Sequence, residues 1–367
     1  MKKFEMSHIR NIALVGGSGS GKTTLAEHIL YAAKKTTRIG RVEDGNTVMD
    51  HSQEEIDKGM SMSLAIANYE WKHTKINLLD VPGIADFAAD QLAASQAVET
   101  LIFVANAAAT SFEVGLEQAF ELLVESNDAR AVVINGMDRE GADFTKALDL
   151  IRENSDYNPV PILIPIGSEE KFSGVVDIVK GKAFIKGAVA DIPADMANMV
   201  EESRMALMEA VAESDDALLE KYFEEGELSD AELAGGLKKA ICSGSLIPAF
   251  AVSAGANVAI TDLMNAIVDY LPSPAEKNVI EIQDRDEVKE VISRIGRGEV
   301  GAHADPVNNA EMYIISKPKN EWKNIKTQED LEEAVREKLE GFPGVLFNIT
   351  QPIEMTVDEL LEGVQAD

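Results

Sequence analysis

The chain is 367 residues long and carries 64 aspartates and glutamates against 34 lysines and arginines, a formal charge of −30. Charge of that sign excludes a diffuse, whole-surface attraction to nucleic acid or anionic lipid, and no sequence-specific nucleic-acid partner is expected. The single cysteine, Cys242, excludes an internal disulfide and a cysteine-built metal site, and no apolar run is long enough to cross a bilayer.

The length accommodates two or three domains with ample core. The opening Met1-Lys2-Lys3-Phe4-Glu5-Met6 is followed by His8 and Arg10 rather than by the apolar stretch of a signal peptide, so a cytoplasmic location is expected. His8, His28, His51, His73 and His303 show no metal-ligand spacing.

In chain order, the first predicted element is a buried strand, Ile12-Ala13-Leu14-Val15. It feeds Gly16-Gly17-Ser18-Gly19-Ser20-Gly21-Lys22-Thr23, a complete G-x-x-x-x-G-K-T loop, after which Leu25, Ile29 and Leu30 fall at helical spacing. Strand, glycine loop and helix in that order make a phosphate cradle. The glycines let backbone N–H groups converge on phosphate oxygens, and the helix N-terminus adds a favourable dipole. In such a cradle Lys22 reaches the β- and γ-phosphates, and the Thr23 hydroxyl takes a place on Mg²⁺.

Next comes Asn77-Leu78-Leu79-Asp80-Val81-Pro82-Gly83, an apolar strand ending in D-x-x-G. There Asp80 can hold the water shell of Mg²⁺ and the Gly83 N–H can contact a γ-phosphate. The strand Ala131-Val132-Val133-Ile134 ends in Asn135-Gly136-Met137-Asp138. The Asp138 carboxylate can accept from the N1 and N2 donors of guanine, a pair that adenine lacks, while Asn135 braces the loop. Last, Ala251-Val252-Ser253-Ala254-Gly255 follows an apolar strand and places backbone N–H groups, those of Ser253 and Ala254, near the base oxygen. Alone, D-x-x-G and N-x-x-D are weak, each more often a plain turn. Four such elements in this order, each at a strand's C-terminal end, mark a guanine-nucleotide switch that takes GTP or GDP with Mg²⁺.

With these motifs, residues 8–275 resemble the G domain of bacterial elongation factor G and the elongation-factor-G-like translational GTPases. Gly40 through Asp50, Glu54-Glu55 and Lys58-Gly59-Met60-Ser61-Met62 resemble the family's first switch region. Pro165-Ile166-Gly167-Ser168-Glu169 and Gly174-Val175-Val176-Asp177 resemble the start of its inserted subdomain, and Val268 through Pro274 the exit from the G domain. The resemblance implies an α/β P-loop NTPase fold: a mostly parallel sheet with helices on both faces and a helical insert over about 168–246. It also implies the ribosome as a partner, which a local basic face or a protein contact would permit despite the net charge. Within the insert, Met196, Met199, Val200, Leu207, Val211 and Leu218 mark apolar helix faces, and Ser229 to Glu232 reads as a capping box.

Three departures from that family bear on chemistry. Ile84 stands where a water-orienting histidine is usual, and it has no donor or acceptor, so no catalytic residue is assigned. Gly136 stands where lysine is usual, which removes an alkyl stem that would cover guanine. Ser61 takes the place of a threonine, leaving a hydroxyl that can still join Thr23 and Asp80 on Mg²⁺, without the methyl that restricts its rotamer.

After a linker over 276–283, residues 284–367 resemble the porter region of heavy-metal efflux pumps of the resistance-nodulation-division class. The matching stretches are Val291 through Glu299, Ser316-Lys317-Pro318-Lys319-Asn320-Glu321-Trp322, and Phe342-Pro343-Gly344-Val345 through Gln351-Pro352-Ile353-Glu354-Met355. The segment reads as a small α+β unit. Glu311 to Ile315 forms a strand, Thr327 caps a helix carrying Leu331, Val335 and Leu339, and Val345 to Ile349 forms a second strand. It has no intramembrane acid and no membrane helix, so proton-coupled transport is not expected of it. The leading expectation is a GTP-binding protein whose hydrolysis, if any, is intrinsically slow and which lacks the translocation domains. A non-hydrolysing, nucleotide-dependent binding module and a joined or truncated gene product containing a transport fragment remain as alternatives.

Overall fold

The computed structural model describes residues 4–123, 129–276, 287–295, 310–323, 325 and 327–339. The chain divides into two compact units, Met1–Lys277 and Asn278–Asp367. In the first, ten strands form one sheet: β1 (Ile9–Val15), β2 (Ala65–Trp71), β3 (Thr74–Asp80), β4 (Thr100–Asn106), β5 (Ala129–Asn135), β6 (Pro159–Ile166), β7 (Gly174–Asp177), β8 (Lys182–Ile185), β9 (Ala188–Ala190) and β10 (Ile247–Ala251). Their spatial order is β2-β3-β1-β4-β5-β10-β6-β7-β8-β9. The six from β3 to β6 run parallel, and β2 at one edge and β7 to β9 at the other are antiparallel.

The parallel strands are continuous apolar runs because helices cover both faces. Leu101, Ile102, Phe103 and Val104 of β4 and Ala131 to Ile134 of β5 are fully buried. The helices are α1 (Lys22–Ala32), α2 (Gln53–Lys58), α3 (Ala88–Ala97), α4 (Val114–Leu122), α5 (Phe144–Asn154), α6 (Ala197–Ala212), α7 (Asp216–Glu225), α8 (Asp230–Cys242) and α9 (Ile260–Tyr270). Helix α1 packs against α9, and α3 packs against α4. Phe120 of α4 stacks on Phe103 at 4.3 Å between ring centroids.

The stretch expected as a helical insert does not begin as one. Gly174 to Asp177, all buried, form β7, and positive-φ glycines at 181 and 187 turn the chain back twice to add β8 and β9 to the sheet edge. Only then do α6, α7 and α8 follow, with the expected capping box at Ser229 and Glu232. Tyr270 of α9 fastens the insert, its hydroxyl donating to the buried Asp177 carboxylate at 3.0 Å.

The second unit contains an antiparallel pair, β11 (Val288–Ile295) with β12 (Ala310–Ser316), and the helix α10 (Gln328–Leu339). Asp330 N–H donates to Thr327 Oγ1 at 3.1 Å, the expected cap, and Leu331 and Val335 are buried. The Trp322 indole N–H closes the preceding turn on Lys317 O at 2.7 Å. The strand expected over 345–349 lies outside the described residues. No helix among the described residues is long and apolar enough to cross a membrane.

Candidate functional site

The C-terminal ends of β1, β3, β5 and β10 converge, and each delivers one of the motif loops. Three glycines of the first loop hold positive φ, Gly16 at 135°, Gly19 at 82° and Gly21 at 87°. Two of them are also spatially fixed: a Cβ on Gly16 would lie 2.6 Å from Val104 O, and one on Gly21 would lie 2.5 Å from Asn135 Nδ2. Lys22 folds back across the loop and donates to Gly16 O at 2.9 Å and Gly17 O at 2.8 Å. Burial lowers the pKa of Lys22, with Asp80, Glu113 and Asp50 opposing that shift. A buried ammonium ringed by loop carbonyls is a ready counter-charge for phosphate oxygens.

Gly83 presses on this loop. A Cβ there would stand 2.5 Å from Lys22 Nζ and 2.7 Å from Ser18 N, so only glycine permits the approach. Beside it the Thr23 and Ser61 hydroxyls are hydrogen-bonded at 3.1 Å. The Asp80 carboxyl is fully buried, neither oxygen has a hydrogen-bond partner, and burial pushes its pKa up to about 7. Lys22 and the Thr23 hydroxyl act to lower it, but that hydroxyl is hydrogen-bonded to Ser61 instead. Two hydroxyls and an orphaned carboxylate form an all-oxygen donor set that suits a small hard cation, completed by water and phosphate oxygens. Among the described residues no cluster of three or more His, Cys, Asp or Glu offers a metal site. Ile84 follows Gly83 and brings no polar side-chain atom.

At the other end, Asn135 ties three loops together. Its Nδ2 donates to Ser20 O at 3.0 Å, and its Oδ1 accepts from Gly136 N at 2.9 Å and Ala254 N at 3.0 Å. The Ser253 hydroxyl donates to Asp138 Oδ1 and accepts from Ala256 N. Between these loops lies a cavity of about 420 Å³, lined by Thr24, His28, Arg41, Asp138, Arg139 and Asn257 among others.

The structure therefore gathers the loop 16–23, Ser61, Asp80 and Gly83 at one end and Asn135, Asp138, Ser253 and Ala254 at the other. Two carboxylates organise residues 40–63: Glu27, which the motifs did not single out, and Glu55, which lay within the stretch resembling the first switch without a role assigned to it. Glu27, fully buried on α1, accepts from the N–H groups of Gly40, Val48 and Met49 at 3.2, 2.5 and 3.1 Å. Its one sequence signal is a lone carboxylate among Leu25, Ala26, Ile29 and Leu30. Burial would raise the Glu55 pKa, but the N–H groups of Met62 and Ser52 and the hydroxyls of Ser52 and Ser63 hold it down at about 2.

A glycine loop between the first strand and first helix of a mixed sheet, with helices on both faces and the other motif loops at the same sheet edge, is an α/β architecture consistent with a P-loop-like fold. Residues 7–273 match the family model for the elongation factor Tu GTP binding domain, and the chain belongs to that family. Residues 274–367 match the AcrB/AcrD/AcrF family. A crystal structure of a Thermus thermophilus protein is similar over 74% of this chain at 31% identity and a TM-score of 0.68. The match spans 41% of that protein's length.

Proposed function

We propose that this chain binds GTP and GDP with Mg²⁺, selects guanine, and acts as a nucleotide-dependent switch of the translation-factor type with slow intrinsic hydrolysis. One observation supports this above the others: the Asp138 carboxylate, oriented by Ser253, faces a cavity of about 420 Å³ continuous with the Gly21 end of the phosphate loop. Asp138 would accept from the two guanine donors, whereas the Ser253 and Ala254 N–H groups, expected near the base oxygen, are given to Val258 O and Asn135 Oδ1. Lys22 and the loop amides would hold the phosphates. Thr23, Ser61 and Asp80 would hold Mg²⁺, which when bound neutralises phosphate charge. Lys22 offers charge to the transition state, but Ile84 cannot orient a water, so positioning of the nucleophile is the missing contribution.

Residues 40–62 and 83–95 flank the phosphates and are the surfaces a partner would read, the ribosome being the partner that the family suggests. The apolar Ile84 also favours a second reading, a switch that loads nucleotide without turning it over. Titration with fluorescent GDP and ADP tests the proposal. Tighter binding of GDP is expected, and equal affinities would overturn the guanine assignment.

A further inference from the structure

The loop that carries Asp138 also carries Arg139. From the sequence, Gly136 leaves the base without an alkyl cover. The structure revises that expectation. Arg139 N donates to Gly136 O at 3.0 Å, closing a turn that swings the Arg139 side chain back over Gly136. A Cβ on Gly136 would lie 3.1 Å from both Cδ and Nε of Arg139 and 3.5 Å from its Cγ. The ground that a side chain at 136 would occupy is already taken.

The turn is anchored at its middle. Met137, between the two residues, is fully buried, and its N–H donates to Val252 O at 3.2 Å. Gly136, Asp138 and Arg139 line the same cavity. Arg139 is exposed, and among the described residues its guanidinium makes no hydrogen bond or ion pair. A planar cation on an apolar stem, free of partners and held beside the residue that reads a base edge, matches the π-face of a purine.

We infer that Arg139 covers the purine ring, its stem and guanidinium lying against the face of the base whose edge Asp138 reads. This rests on the guanine-nucleotide reading of the same cavity. Arg139 sits with the base-side residues and away from Lys22, so its contribution belongs to the base and not to the phosphates.

The test is displacement titration of the full chain with GDP, GTP and ADP, for the unmodified protein and for Arg139→Ala and Arg139→Met. Arg139→Ala should weaken GDP and GTP by the same factor, about tenfold, the scale of a desolvated cation–π contact. Arg139→Met, which keeps the stem, should recover part of the loss, and the exposed position means that neither variant shifts thermal unfolding. Unchanged GDP affinity in Arg139→Ala would overturn the inference. So would a loss that is larger for GTP than for GDP and shrinks with added salt, because that pattern marks a charge acting on phosphates. If the unmodified chain does not prefer GDP to ADP, the guanine reading fails and this inference fails with it. If it does prefer GDP and only the variants disappoint, this inference fails alone.

Discussion

Glu27 gives the strongest test of how the phosphate-loop helix controls the segment in front of it. Its carboxylate is fully buried and accepts three backbone N–H groups, Gly40 on Oε2 and Val48 and Met49 on Oε1. Replacing Glu27 with Gln keeps one acceptor for Val48 and Met49 but turns an amide NH₂ towards the Gly40 N–H. One charge-assisted hydrogen bond is lost and two donors oppose each other, at a cost of about 1.5–3 kcal/mol. Glu27→Ala strands all three N–H groups and should cost more, because each buried orphan carries its own desolvation penalty of about 1–3 kcal/mol. The loss should be local before it is global. In amide hydrogen exchange, residues 40–49 should lose protection in Glu27→Gln while β4 and β5 keep theirs. Equal protection of residues 40–49 in the variant and the unmodified chain would refute the claim that Glu27 holds them.

Three further outcomes follow from the site and its supports. Asp262 is buried near Asp177, and burial first, then that neighbour, raises its pKa from 3.8 to about 6. A carboxyl that holds its proton more tightly when folded stabilises the fold in acid, and that contribution is lost as pH rises through about 6. Asp262→Asn should therefore flatten the decline in thermal stability between pH 4 and 6; an unchanged slope would count against the burial argument. Gly136→Lys should weaken GDP binding, since position 136 holds φ of 80° and Arg139 fills the adjacent space; tighter binding would show that the turn relaxes around the new stem. Ile84→His should raise phosphate release from GTP by about 10²-fold in the presence of ribosomes, the scale of a positioning or acid–base group. No gain, with nucleotide affinity intact, would mean that orientation of water is not what limits turnover.

Much of this site was legible because its parts are local. A strand, a glycine loop and a helix in succession need no tertiary knowledge, and the three later motifs each terminate an apolar strand. The sheet places their loops together because parallel strands present all their C-terminal ends at one edge. The caps at Ser229 and Thr327 were readable for the same reason, since each is satisfied by a residue three positions on. The features that escaped depend on distant returns of the chain. Four residues at 174–177, two valines between a glycine and an aspartate, are too few to declare a strand; pairing with β6 makes them one. Glu27 reads as an ordinary helix charge until residues 40–49 fold back onto it. Arg139 reads as a solvated cation until the 136–139 turn lays it across a glycine.

If Asp138 reads the edge of guanine, a substitution at that residue reverses the choice of base. Asp138→Asn replaces one accepting oxygen with an amide donor. Guanine offers donors at N1 and N2, whereas xanthine offers a carbonyl oxygen in place of the N2 amine. Titration of the variant and the unmodified chain with guanosine and xanthosine diphosphates should show GDP affinity falling and xanthosine diphosphate affinity rising, by about 1–3 kcal/mol in each direction for an exchanged buried hydrogen bond. Parallel weakening of both nucleotides, or no change in either, would contradict the account, because a residue that does not touch the base edge cannot reverse the preference between them.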